Sequence, residues 1–144
     1  MVAKLTRTDL ELGSRLRVVI ARLARRTRQV SDHALTVSQL SALAALDKCG
    51  PLSPRALADQ ERVQPPSMTR ILAVLEERGL AERAPHPTDG RQVLVTVTAE
   101  GVRLLKEDRR RRTAWIAQRL AELTPDERAV LHAATPILER LLEE

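Results

Sequence analysis

The sequence predicts a mainly α-helical chain with one small β-hairpin: a winged helix-turn-helix lobe set between helices at the two ends. Three observations carry this. Apolar residues recur at steps of three and four over most of the 144 residues, the period of helices with one apolar face. Two short helices that each begin with proline, at Pro54 and at Pro65-Pro66, are separated by the brief turn Arg62-Val63-Gln64, which is the helix-turn-helix arrangement. Beyond the second of them, β-branched Val93, Val95 and Val97 alternate after a segment rich in Pro, Thr, Asp and Gly, the pattern of a hairpin with a broad tip.

Taken in order, Asp9 to Val30 carries Leu12, Leu16, Val19, Ile20, Leu23, Thr27 and Val30 on one stripe, a long amphipathic helix. The polar break Ser31-Asp32-His33 ends it. Thr36 and Gln39 have the spacing of a capping box and open a second helix through Leu40, Leu43, Ala44 and Leu46, which stops at Gly50-Pro51. Ser53 caps the next helix, with Pro54 at its first position and Leu57 and Ala58 inward. The helix from Pro65-Pro66 turns Met68, Ile71, Leu72 and Leu75 inward and stops at Arg78-Gly79. Leu80 to Ala84 and Gln92 to Thr98 form the hairpin, with Pro85 to Gly90 in its tip. A long helix follows Thr98 through Val102, Leu105, Ile116 and Leu120. Leu123-Thr124-Pro125-Asp126 caps the last helix, which Pro136 is expected to kink or split by removing a backbone donor.

Composition excludes several function classes. The chain has no Phe, no Tyr and one Trp, so it lacks the aromatic platforms on which RNA-recognition and single-strand-binding folds stack bases. One cysteine, Cys49, allows no intramolecular disulfide and no multi-cysteine zinc site, and His33, His86 and His132 form no helical metal-binding pair. Five glycines include no P-loop or dinucleotide turn, and no GxSxG occurs. No enzyme, cofactor or metal is expected. Without an apolar N-terminal segment or a run near about 18 apolar residues, the chain reads as cytoplasmic with no membrane partner. The net charge of +5 lies wholly in the first 35 residues, which hold eight basic and three acidic side chains. A nucleic-acid reading therefore rests on individually placed arginines rather than bulk charge.

In a helix-turn-helix, the second helix enters the major groove of DNA and the first crosses the backbone. With one face of the second helix committed to the core, Pro66, Ser67, Thr69, Arg70 and Ala73 face outward or sideways. Arg70 is the leading base reader, because a guanidinium can bond guanine O6 and N7 together; phosphate contact alone is the plainer alternative. Ser67 and Thr69 can hold phosphate or a base edge. Ser53 either caps its helix or also holds a phosphate, and Arg55 and Gln64 can set register on the backbone. At the hairpin tip, Arg91 can enter the electronegative minor groove, or stand solvated on an ordinary turn. Asp89 is expected to fix the tip by bonding its backbone and pairing with Arg91 or Arg83. The run Arg109 to Arg112 reads as a solvated face laced with Glu107 and Asp108. Cys49 reads as structural or incidental, Trp115 as core and His33 as a loop or capping residue.

The stretch Ser53 to Gly101 resembles the winged helix-turn-helix of the MarR family of bacterial regulators. The carrying residues are Leu57-Ala58, Ser67-Met68-Thr69-Arg70, Leu75-Glu76-Glu77-Arg78-Gly79-Leu80, Arg83, Asp89-Gly90-Arg91 and Val97-Thr98-Ala99-Glu100-Gly101. Thr36, Gln39, Leu40 and Leu43 resemble the family's second helix, so the likeness covers nearly the whole chain. It implies a homodimer, with residues 1–35 and 102–144 as dimerisation helices and residues 36–101 as the DNA-binding lobe. It further implies two winged lobes on a pseudo-palindromic double-stranded operator, repression of nearby genes, and release by a small anionic or phenolic ligand. Arg15, Arg22, His33 and Trp115 are the candidate ligand contacts. The rival reading is a winged helix used as a protein-interaction module without sequence-specific DNA binding.

Overall fold

The computed structural model describes residues 4–143. The elements run α1 (Arg7–Arg28), α2 (Val37–Cys49), α3 (Pro54–Glu61), α4 (Pro65–Glu77), β1 (Ala81–Pro85), β2 (Val93–Val97), α5 (Ala99–Ala121) and α6 (Pro125–Arg140). They fall into two compact units, one formed by the chain up to Ser31 together with the chain from Arg111 onward, the other by Asp32–Arg110. The helix α5 contributes to both.

Local chemistry sets most of the boundaries. Thr36 and Gln39 close the expected capping box on α2, and Ser53 accepts the Ala56 N–H at 3.1 Å with Pro54 at the first helical position of α3. Two further capping boxes are present, Thr6 with Asp9 and Thr124 with Glu127. The first places the start of α1 at Arg7, ahead of the apolar stripe that signals the helix. Gly79 takes φ +70, a left-handed stop that closes α4 and lets the Leu80 N–H reach the Leu75 carbonyl at 2.8 Å.

The core of the Asp32–Arg110 unit is built from Leu43 and Leu46 of α2, Leu57 of α3, Met68, Leu72 and Leu75 of α4, and Val95 of β2, all fully buried. Each such side chain contributes about 1.5–3 kcal/mol relative to exposure. The hairpin is antiparallel, with Arg83 opposite Val95 and Pro85 opposite Val93. Proline is therefore the last residue of the first strand rather than part of the tip, a position at a strand end that needs no ladder donor. Leu52, between α2 and α3, exchanges both backbone hydrogen bonds with Val95, which anchors β2 to the helical part of the lobe.

Gly101 explains how α5 joins this lobe. A Cβ at that position would overlap the Leu80 carbonyl and lie 2.8 Å from Val97 Cγ2. The Thr98 hydroxyl donates to Gly79 O at 2.6 Å and accepts the Gly101 N–H at 3.1 Å. Threonine and glycine three residues apart thus dock the start of α5 against the beginning of β1.

The other unit has a different character. No residue of α1 or α6 is buried, and Leu12, Val19, Ile20, Leu23, Val130, Leu131, Ile137 and Leu138 are all exposed. The expected split at Pro136 is not observed: α6 continues from Pro125 to Arg140 through it. Proline removes only the bond to the carbonyl of His132, and that residue is exposed, so water can satisfy the freed oxygen.

Candidate nucleic-acid interface

The reading helix α4 is held by its buried face, Met68, Ile71, Leu72 and Leu75. Its opposite face leaves Pro66, Ser67, Thr69, Arg70 and Ala73 exposed, as the sequence pattern requires. Two prolines fill the first turn of α4, where missing N–H groups cost least, and Gln64 at the N-cap makes no capping bond through its side chain. Arg70 is exposed and forms no ion pair among the described residues. The Thr69 hydroxyl instead donates to the Pro65 carbonyl at 3.0 Å.

Between α3 and the first turns of α4, a groove of about 510 Å³ is lined by Pro54, Arg55 and Asp59 of α3 and by Pro65 and Thr69 of α4. Ser53, Arg55 and Thr69 therefore lie on neighbouring parts of the lobe. Ser53 Oγ already accepts from its own helix, which leaves its hydroxyl hydrogen for an anion.

At the hairpin tip, Asp89 Oδ1 accepts the Arg91 backbone N–H at 3.1 Å, so Asp89 bonds the tip backbone as expected. The expected pairing of Asp89 with Arg83 or with the Arg91 side chain is corrected: the Arg83 guanidinium pairs with Glu76, tying β1 to α4. Strand β1 leaves Gly79 directly after α4, which puts Arg83 within reach of a carboxylate on that helix. The Arg91 side chain is left exposed. Sequence reasoning missed His86, whose Nδ1 accepts the Thr88 and Asp89 N–H groups, each at 3.2 Å, and so organises the turn. A histidine before Pro-Thr-Asp carries no recognised turn signal.

Other expectations change as well. The run Arg109 to Arg112 is a solvated face only in part: Arg109 and Arg110 are exposed, but Asp108 is buried, with its Oδ1 3.1 Å from His33 Nε2, and Arg109 pairs with Asp47 at 3.1 Å. Arg112 donates to Ser31 Oγ at 3.2 Å. Consecutive helical residues point in different directions, so each meets a different neighbour. His33 is a loop residue as expected, but it accepts the Leu35 N–H on Nδ1 while Nε2 faces Asp108. Both ring nitrogens are therefore engaged within the protein. Trp115 is half-buried rather than core. The Arg119 guanidinium lies 4.0 Å from its ring centroid, and the pair lines both an apolar pocket of about 280 Å³, with Leu23 and Leu131, and a more polar one with Arg26. Arg15 and Arg22 line neither pocket; on α1 it is Arg26, one turn beyond Arg22, that lines a pocket with Trp115. Cys49 is exposed, with Gln60 Nε2 at 3.4 Å from its sulfur.

The comparisons with known proteins agree with this geometry. Residues 35–93 match the model of the MarR family. The chain is 46% identical over 138 residues to the HTH-type transcriptional regulator Mb0904 of Mycobacterium bovis, spanning 95% of this chain and 96% of that one. It is 33% identical over 98 residues to the multiple antibiotic resistance protein MarR of Salmonella typhimurium, spanning 67% and 68% of the two chains. Among solved structures, a transcriptional regulator protein of Pseudomonas aeruginosa superposes with a TM-score of 0.87 at 34% identity, over 97% of this chain and 99% of that one. With its lobe, hairpin and flanking helices all accounted for, the chain belongs to the MarR family of winged helix-turn-helix transcriptional regulators.

Proposed function

We propose that the protein is a homodimeric, sequence-specific double-stranded DNA-binding repressor that acts in the cytoplasm on genes near its own. The observation that carries this reading is the exposed face of α4, where Arg70 stands without an ion-pair partner beside the Ser67 hydroxyl. Its guanidinium has the donor fork that matches guanine O6 and N7 in the major groove. Arg91, at the end of the hairpin, is the minor-groove contact, and Ser53, Arg55 and Gln64 set register on phosphates. A two-fold dimer places two such helices on a pseudo-palindromic operator. The exposed apolar side chains of α1 and α6 support that dimer, because large apolar residues gathered on helix faces at this density are the kind of surface that associates. A small anionic or phenolic effector fits the surroundings of Trp115, where apolar side chains meet Arg26 and Arg119.

Selection of duplexes from a random library on the full-length protein, followed by fluorescence anisotropy on the enriched site and on a scrambled duplex at two salt concentrations, tests the reading. Arg70→Ala is expected to weaken the enriched site by about 1–3 kcal/mol and to relax one base position. Arg91→Ala is expected to weaken it as well. Equal, steeply salt-dependent binding to both duplexes, with no enriched sequence, would overturn sequence-specific recognition and favour a protein-interaction module.

A further inference from the structure

The exposed face of α4 offers three polar side chains, Ser67, Thr69 and Arg70, and the structure does not leave them equivalent. The Thr69 hydroxyl donates its hydrogen to the Pro65 carbonyl at 3.0 Å, one turn back along the helix. That carbonyl is also the acceptor for the backbone N–H of Thr69 in the helical ladder. With its one hydrogen committed, Thr69 has no donor for guanine O6 or N7, adenine N7 or thymine O4, all of which are acceptors. What the exposed, β-branched side chain retains is an acceptor lone pair and a methyl group, held stiffly by the branching and by the bond to Pro65. The major groove offers one apolar feature for such a group, the C5-methyl of thymine.

We propose that Thr69 is a specificity-determining residue that reads thymine through its Cγ2 methyl rather than through its hydroxyl. This rests on the DNA-binding reading above and divides the labour on α4. Arg70 supplies the guanine contact, Ser67 supplies a hydroxyl whose hydrogen is not held within the helix, and Thr69 supplies the apolar contact. Ala73, one turn further along the same exposed face, adds a second methyl in the same direction.

The test uses the duplex enriched by selection on the full-length protein. Each thymine is replaced in turn by deoxyuridine, which removes only the C5-methyl, and binding is measured for wild type, Thr69→Val and Thr69→Ser. Valine keeps the methyl and loses the hydroxyl, whereas serine does the reverse. Thermal melts followed by circular dichroism confirm that the variants are folded.

At one thymine per half-site, deoxyuridine is expected to weaken wild type and Thr69→Val by about fourfold, the equivalent of one buried methyl group. Thr69→Ser, which removes the methyl from both half-sites, is expected to bind the unmodified site about sixteenfold more weakly and to be insensitive to uracil at that position. Three results would overturn the proposal: Thr69→Val losing affinity while Thr69→Ser keeps it, uracil having no effect at any position, or uracil weakening Thr69→Ser as much as wild type. In each of those cases the wild type still prefers the enriched site over scrambled DNA. Failure of the DNA-binding reading itself looks different, because no site is then enriched, and it overturns both.

Discussion

The two units of this chain solve the problem of burial differently. In Asp32–Arg110, fourteen apolar side chains are buried among the described residues, around Leu43, Leu72 and Val95, and the lobe has an interior of its own. In the other unit α1 and α6 are well-formed helices of 22 and 16 residues, and neither has a buried residue. Isolated helices gain little from propensity, and most helical stability comes from packing an apolar face. The lobe can therefore be stable as a single chain, while the terminal helices require surface from elsewhere. A second copy of the same chain supplies it under the dimer reading.

The largest effect on this contrast is expected from hollowing the lobe. Leu43→Ala should lower its stability by about 2–5 kcal/mol through lost transfer energy and a residual cavity. The loss, read by urea unfolding, should not depend on protein concentration if the lobe's core is its own. Gly101→Ala comes next, at about 1–3 kcal/mol, because the obstruction is the Leu80 backbone carbonyl and cannot swing aside. A wild-type melting curve for that variant would show that α5 does not need its close approach to β1. Ile137→Glu, on the exposed apolar side of α6, acts on the other half of the comparison. Sedimentation should show association weakened at least tenfold, about 1.4 kcal/mol, with the fold of the lobe unchanged. Unchanged association would remove α6 from the dimer face.

The smallest effect concerns the start of α1. The Thr6 hydroxyl, and after it the Thr6 N–H, hold the Asp9 carboxyl below its ordinary value. A lowered value in the folded state means that the stabilisation is fully present above the ordinary aspartate value of about 3.9 and is lost as pH falls through the lowered value. Asp9→Ala should thus reduce helical circular dichroism slightly at neutral pH, and the difference from wild type should close in acid. A difference that persists at low pH would assign the effect to helix propensity rather than to the capping carboxylate.

Where structure is local, the sequence is readable. Thr36 with Gln39, Ser53 with Pro54, and Gly79 each act within four residues, and each boundary falls where its chemistry puts it. The exposed face of α4 follows from period alone, which is why the DNA-contact candidates could be named from spacing. Partners brought together by folding were hidden. His33 meets Asp108 across 75 positions and Arg109 meets Asp47 across 62, so charges that look adjacent in a basic run are separately engaged. The Arg83–Glu76 pair depends on the direction in which β1 leaves Gly79, and no short-range pattern encodes that. Thr69 shows the finer limit: its exposure is legible, but the direction of its hydroxyl is a choice between water and the turn below it.

Trp115 has a consequence of its own. With no tyrosine and no phenylalanine in the chain, it is the sole source of ultraviolet emission, and it sits half-buried between α1 and α6 side chains under the Arg119 guanidinium. Every photon therefore comes from the unit that has no core, and none from the one that carries α4. A spectral shift on dilution would report the loss of a partner without any added label. A shift on adding operator DNA would mean that an event at the reading helix had been felt in the other unit, which is the signature to seek before any effector is known.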